Sequence, residues 1–227
     1  MKCESLIGKI ALVTGASKGI GKAIAHLFAE KGAKVYALSR GIQEVPFPEN
    51  IIPTPCDITN GNQVSSSIEQ IVKETGTIDF LINNAGVGHF APVHQLEEAQ
   101  WDEMINVNLK GAFLCTKYVV PHLLAKGSGH IINISSVAGI EGFPRGTGYS
   151  ASKFGLMGFT DSLMKELKPH GIKVSVICPG SVQTYFGDTD PKDYALLPED
   201  VAYMAYQMAA APEHVIMNQV VMRPKVK

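Results

Sequence analysis

The segment Thr14-Gly15-Ala16-Ser17-Lys18-Gly19-Ile20-Gly21 restricts what this chain can fold into more than any other stretch. It follows the apolar, β-branched run KIALVT at residues 9–14. It leads into Ile20, Ala23, Ile24, Leu27 and Phe28, which recur at helical spacing until Gly32. A strand that turns through glycines straight into a helix lets the backbone approach a pyrophosphate closely, and the free N–H groups and dipole of the helix attract its negative charge. With 22 glycines in 227 residues, three at these offsets arise by chance on the order of 0.2 times, so the flanking strand and helix carry the reading.

The same alternation runs on through the chain. Residues 34–38 (KVYAL) read as a second strand, and residues 41–55, with four prolines, as a loop holding at most a short strand at Ile51-Ile52. Residues 64–73 read as a helix and 78–83 as a strand. Residues 97–124 read as a long helix with Trp101, Met104, Ile105 and Leu109 on one face. Residues 130–134 and 172–178 are further β-branched strands, with a helix over 149–168 between them. Pro198-Glu199-Asp200 opens a last helix, where proline and acidic residues suit an N-terminus, and residues 215–222 form a closing strand. Strands alternating with helices predict an α/β fold built on a parallel sheet. No repeat or linker interrupts it, and the length suits one core, so residues 1–227 are expected to form one domain.

Composition narrows the function. Twenty basic against 21 acidic residues leave a net charge of -1, which disfavours a nucleic-acid or anionic-membrane partner. No run of 18 apolar residues occurs, and Met1-Lys2-Cys3-Glu4 lacks the apolar stretch of a signal peptide, so a cytoplasmic protein without a membrane span is expected. Cys3, Cys56, Cys115 and Cys178 are far apart and form no C-x-x-C pair, so reduced, packed thiols are expected. The seven histidines show no metal-ligand spacing, and no metal is expected. His89 and His94 fall on the loop after Asn84, where His89 is placed to line a pocket. Glu97-Glu98 reads as a helix N-terminal pair.

Tyr149 and Lys153 stand four apart, on one face of a helix. Phenol titrates near 10, so acid–base work near pH 7 asks for a downward shift of roughly 3 units, about 4 kcal/mol, which a neighbouring ammonium and a nicotinium cation favour. The plain alternative is a lysine lying alongside a half-buried tyrosine. Ser135 and Ser136 end the strand at 130–134, on the side where open α/β sheets bind ligands. Ser136 is placed to donate to a carbonyl oxygen gaining negative charge, or else to cap local backbone.

Taken together, Thr14 to Gly21 (TGASKGIG), Asn83 to Gly86 (NNAG), Asn108 within NVNLKG, Ser136, Tyr149 with Lys153, and Pro179-Gly180 resemble the short-chain dehydrogenase/reductase family, in its order and approximate spacing. The resemblance implies a Rossmann-type doubly wound parallel sheet of about seven strands in three α/β/α layers, and hydride transfer between a nicotinamide cofactor and an alcohol or carbonyl. It assigns Tyr149 as proton donor, Lys153 as the group that lowers its pKa and holds the ribose, and Ser136 as the catalytic serine, with Ser135 supporting the turn. Asn108 is expected to kink the long helix and hold a water linking Lys153 to solvent. Gly15, Ser17, Lys18, Gly19, Ile20 and Gly21 match the pyrophosphate turn. Asp57 and Ile58 match the adenine position, Asn84, Ala85 and Gly86 the segment passing the ribose, and Pro179, Gly180, Val182 and Thr184 the nicotinamide segment.

An acidic residue after the second strand would bind a ribose 2′-OH and repel a 2′-phosphate. Ser39 and Arg40 stand there instead. With Lys18, they suit charge-assisted binding of that phosphate, so NADP(H) is the expected cofactor. The leading expectation is NADPH-dependent reduction of a small carbonyl compound. Alternatives are 3-oxoacyl-[acyl-carrier-protein] reductase and a pterin or dicarbonyl reductase of the sepiapterin-reductase-like kind, the latter suggested by Met222-Arg223-Pro224. A non-catalytic NADP sensor or scaffold is the reading from another class. Where carrier-reading relatives tend to place arginines this chain has Gly127 and His170, with Lys126 adjacent. The resemblance further implies a homo-oligomer through the helices at 97–124 and 149–168. Relatives run about 20 residues longer. The shortfall falls at 41–55 and at 184–198, where Gly187, Asp188, Asp190 and Pro191 oppose helix, so a short lid and an open pocket are expected.

Overall fold

The computed structural model describes residues 5–187 and 192–225; Cys3, Asp188, Asp190 and Pro191 lie outside them. Seven strands form one parallel sheet in the order β3-β2-β1-β4-β5-β6-β7. They are β1 (Ile10–Thr14), β2 (Lys34–Ser39), β3 (Ile51–Pro55), β4 (Phe80–Asn83), β5 (Gly129–Ile134), β6 (Ile172–Pro179) and β7 (Gln219–Met222). The helices are α1 (Gly19–Glu30), α2 (Gly61–Thr75), α3 (Glu98–Ile105), α4 (Ala112–Lys126), α5 (Thr147–Leu167) and α6 (Pro198–Ala209). One apolar cluster packs Ile24, Phe28, Val201 and Ala205 of α1 and α6 on one face of the sheet. A second packs Ile68, Val119 and Leu163 of α2, α4 and α5 on the other. This is the doubly wound, three-layer Rossmann-type arrangement.

Central strands β1 and β4 are buried throughout, whereas the edges β3 and β7 alternate in exposure, as strands covered on two faces and one should. β3 is longer than the prolines suggest. The Cys56 N–H donates to the Ser39 carbonyl at 3.2 Å. By the two-residue period the nitrogens of Pro53 and Pro55 therefore face away from β2, where a missing N–H costs nothing. In place of a crossover helix, residues 41–50 hold one short turn, Ile42–Glu44. The last strand is shorter than expected, starting at Gln219.

The helix expected over 97–124 is interrupted. Asn106–Gly111 winds as a π-helix between α3 and α4, a widened turn of the kind that often marks functional sites. Helix ends follow local chemistry: Asn60 accepts from the Asn62 and Gln63 N–H groups ahead of α2, and Gly76 and Gly127 close α2 and α4 in left-handed conformation. Among the described residues no helix is long and apolar enough to cross a membrane, and no three His, Cys, Asp or Glu gather as a metal site. Cys56, Cys115 and Cys178 are buried free thiols.

Candidate active site

The chain starts mid-sheet, winds outward to β3, then returns to lay β4 beside β1, so the winding direction reverses between the carboxyl ends of β1 and β4. Ligand crevices open at such a switch point. Two side chains lock it. Thr14 Oγ1 accepts from the Asn84 and Ala85 N–H groups at 3.0 Å each, and Asn84 Nδ2 donates to the Thr14 carbonyl at 2.8 Å. The amide of Asn84 thus supports the glycine turn from beneath, leaving its backbone to line the cleft. A Cβ on Gly15 would meet the Ala85 Cα at 2.8 Å, and one on Gly21 would collide with Asn84 Nδ2 and the Gly15 carbonyl. Side chains are excluded there because two loops touch.

A continuous cleft of about 1760 Å³ runs along these carboxyl ends, larger than the 300–1,000 Å³ usual for a small ligand and suited to a dinucleotide with a substrate. Gly15, Ser17, Lys18, Gly19, Ile20, Ser39, Arg40, Asp57, Ile58, Ala85, Gly86, Pro179, Gly180, Val182 and Thr184 all line it; Gly21 lies behind the turn. At the head of α1 no side chain caps the helix and no acidic residue occupies its first turn, so its N–H groups and positive dipole end are left to a ligand anion. Ser39 Oγ donates to Ser17 Oγ at 3.2 Å, joining β2 to the turn, and Lys18 and Arg40 are exposed beside it. Asp57 accepts from the Thr59 N–H and hydroxyl at 2.9 and 2.8 Å, which with Arg40 nearby holds its carboxyl below the usual range. These residues fit a phosphorylated dinucleotide.

At the other end, Ser136, Tyr149 and Lys153 converge where β5 ends against α5. The hydroxyl of Ser136 accepts from the Ala138 N–H at 3.1 Å and donates to the Pro179 carbonyl at 3.4 Å. Lys153 is buried, and its Nζ donates to the Ile134 carbonyl at 2.9 Å while lying 5.8 Å from the centre of the Tyr149 ring. Burial pulls Lys153 down to about 8. Burial pushes Tyr149 up to about 12, against the opposing hydrogen bond of Ser136. Without a cofactor, therefore, desolvation outweighs the Ser136 hydrogen bond and the phenol keeps its proton, opposite to the downward shift that acid–base work near pH 7 asks for.

Asn108 sits inside the π turn, and the geometry accounts for it. Its Oδ1 accepts from the Val87 N–H at 2.8 Å, and its Nδ2 donates to the Val87 carbonyl and to Ser152 Oγ, each at 2.9 Å. Ser152 Oγ donates in turn to the Tyr149 carbonyl at 2.7 Å. Asn108 thereby ties the loop after β4 to the helix that carries Tyr149. Ser152 escaped sequence reasoning, although its place within Tyr149-Ser150-Ala151-Ser152-Lys153 was a signal. Ser135 is buried and donates to the Lys153 carbonyl at 3.4 Å.

His89 lines the cleft and is hydrogen-bonded to Glu103 at 2.7 Å. Sequence reasoning also missed Phe90, Phe143 and Phe186, which come from three separate loops: Phe90 and Phe186 stand edge-on to the Tyr149 ring, and Phe143 leans on Phe90. The described part of the short lid thus sets the Phe186 ring edge-on against Tyr149, which stays half-exposed.

A sequence profile for short chain dehydrogenases matches residues 9–195. The 3-oxoacyl-[acyl-carrier-protein] reductase FabG of Thermotoga maritima is 37% identical over 236 residues, spanning 95% of this chain and 96% of that protein. The crystal structure of a metagenomic short-chain oxidoreductase in complex with NADP superposes with a TM-score of 0.85 at 34% identity, over 99% of this chain and 100% of the other. The 3-ketoacyl-(acyl-carrier-protein) reductase from Brucella melitensis complexed with NADH gives 0.89 at 28% identity, over 96% and 98%.

Proposed function

The chain belongs to the short-chain dehydrogenase family of oxidoreductases, and on that premise we propose that it is an NADPH-dependent reductase of a small carbonyl compound, reversible as a dehydrogenase of the matching alcohol. The observation that carries this reading is the convergence of Ser136, Tyr149 and Lys153 at one end of a cleft whose other end presents Lys18, Arg40 and the uncapped head of α1. When bound, the cofactor supplies the hydride that reduces the carbonyl carbon.

The remaining work belongs to the protein. Tyr149, held protonated by burial, gives its proton to the carbonyl oxygen, and Ser136 donates a hydrogen bond to the same oxygen. The Lys153 ammonium stabilises the phenolate left behind and holds the nicotinamide ribose. Asn108 keeps the Tyr149 helix and the loop after β4 in register and carries the water through which Lys153 exchanges protons with solvent. Arg40 and Lys18 hold the 2′-phosphate, Asp57 the adenine amino group, and Val182 and Thr184 the carboxamide. The 227 residues act as one dinucleotide-binding unit and associate as a homo-oligomer through α3, α4 and α5.

Replacing Tyr149→Phe should lower carbonyl reduction, followed by loss of nicotinamide absorbance, by about 10²- to 10⁴-fold while NADPH still binds. Retention of most activity would sink the mechanism, and a variant indistinguishable from a wild type without reductase activity would favour a sensor or scaffold. A second reading, 3-oxoacyl-[acyl-carrier-protein] reductase, has the 37% identity to the Thermotoga maritima enzyme in its favour. Against it, Lys126 beside Gly127 is already paired with the buried Asp79, which also takes the Ile10 N–H, so little positive charge is left there for an acidic carrier. Faster reduction of an oxoacyl group on carrier protein than of free ketones would reverse the preference. The Met222-Arg223-Pro224 tail that suggested a pterin has a simpler role, since Met222 accepts from the Gly180 N–H and Arg223 pairs with Glu141.

A further inference from the structure

Two of the nine phenylalanines in the chain pack against one tyrosine, and a third packs against one of those two. Phe90, on the loop after β4, stands edge-on to the Tyr149 ring at 5.7 Å between centroids and 81° between planes. Phe186, after β6, does the same from another side at 5.5 Å and 63°. Phe143, between β5 and α5, leans on Phe90 at 5.7 Å, and Phe90 on Phe186 at 6.3 Å.

The arrangement is built rather than incidental, because every ring lies on a glycine. A Cβ at Gly88 would come within 2.6 Å of the Phe186 ring, one at Gly146 would strike Phe143, and one at Gly187, whose φ is +63°, would strike Phe90. Arg145 adds a tie: its guanidinium donates to the Phe90 carbonyl at 3.3 Å from a backbone held at φ 69°, a left-handed conformation that few residues adopt without compensation. Rings fixed in this way cannot collapse around an irregular guest. They offer edges and faces at the angles that aromatic pairs prefer, so a planar unsaturated guest gains beyond its buried area whereas a saturated one of equal size does not.

Resting on the reductase reading above, we propose that Phe90, Phe143 and Phe186 form an aromatic enclosure that selects carbonyl compounds bearing an aryl or conjugated planar group next to the carbonyl. The probes are acetophenone and cyclohexyl methyl ketone, matched in size, with wild type, Phe186→Leu and Phe143→Leu. Phe143 is 41% exposed, so its replacement does not threaten folding, and NADPH binding reports that both variants are folded. The readout is the aryl-to-saturated ratio of kcat/KM in each variant divided by that of wild type, in which the ketones' intrinsic reactivities cancel. Loss of one ring pair should reduce that ratio about fivefold. An unchanged ratio in both variants, with both ketones still reduced, overturns the enclosure and leaves the reductase reading standing. No NADPH oxidation by wild type with any carbonyl overturns both.

Discussion

Replacing Lys153→Met removes a buried ammonium that the folded chain carries at a cost. Burial lowers this amine from 10.5 to about 8, a difference of about 2.5 pH units, worth about 3 kcal/mol at roughly 1.4 kcal/mol each. The sign follows from proton uptake. Below pH 8 the amine is charged in both folded and unfolded chains, and the full cost is present. Between pH 8 and 10.5 the unfolded chain binds a proton that the folded chain has released, so the stability of the wild type rises with pH relative to an uncharged side chain. Above 10.5 the cost is gone. Methionine also loses the hydrogen bond to the Ile134 carbonyl, about 1 kcal/mol at every pH. The variant should therefore be about 2 kcal/mol more stable than wild type at pH 7 and about 1 kcal/mol less stable near pH 10.5. Urea unfolding of the cofactor-free proteins, read from the fluorescence of Trp101 and checked by circular dichroism, measures both. A stability difference that does not change with pH, or a variant less stable at pH 7, would refute the claim that desolvation dominates this site.

Other perturbations test separate parts of the site. Arg40→Glu should shift the NADPH-to-NADH ratio of kcat/KM toward NADH by about 10- to 100-fold, since a charge-assisted contact becomes a repulsion; a wild type that already reduces carbonyls equally well with NADH contradicts the assignment. Gly21→Ala forces a Cβ into Asn84 Nδ2 and the Gly15 carbonyl, and should cost about 1–3 kcal/mol in unfolding free energy and weaken NADPH binding by fluorescence titration. Asn108→Ala gives up three hydrogen bonds to Val87 and Ser152. It should cost about 2–4 kcal/mol in urea unfolding with a fall in kcat, and unaltered stability would show that the π turn stands without it.

Much of the fold was readable because β-branched runs and helical periodicity are short-range signals. The glycine turn was placed by its neighbours, and Tyr149 with Lys153 by the pitch of a helix. What escaped reading depends on distant partners. Pro53 and Pro55 look like strand breakers until the pairing with β2 shows that their nitrogens face outward. The resemblance implied a kink at Asn108, but its form, a π turn over Asn106–Gly111, stays hidden in a helical pattern, because the partner of Asn108 there is Val87, 21 residues away. Phe90, Phe143 and Phe186 show no periodicity relative to Tyr149, and only the meeting of three loops makes them neighbours.

By itself, then, the sequence determined the alternating elements and the identity of the residues at the strand ends, since each depends on chemistry within a few positions of chain, whereas the doubly wound strand order came only as what the family resemblance implies. Only the tertiary structure decided the protonation of the site and the character of its walls. Desolvation and ring packing depend on what surrounds a side chain in space. For that reason the Tyr149–Lys153 pair, four residues apart and readily found, has its phenol pushed up and its amine pulled down by burial, with Phe90 and Phe186 edge-on to the phenol ring.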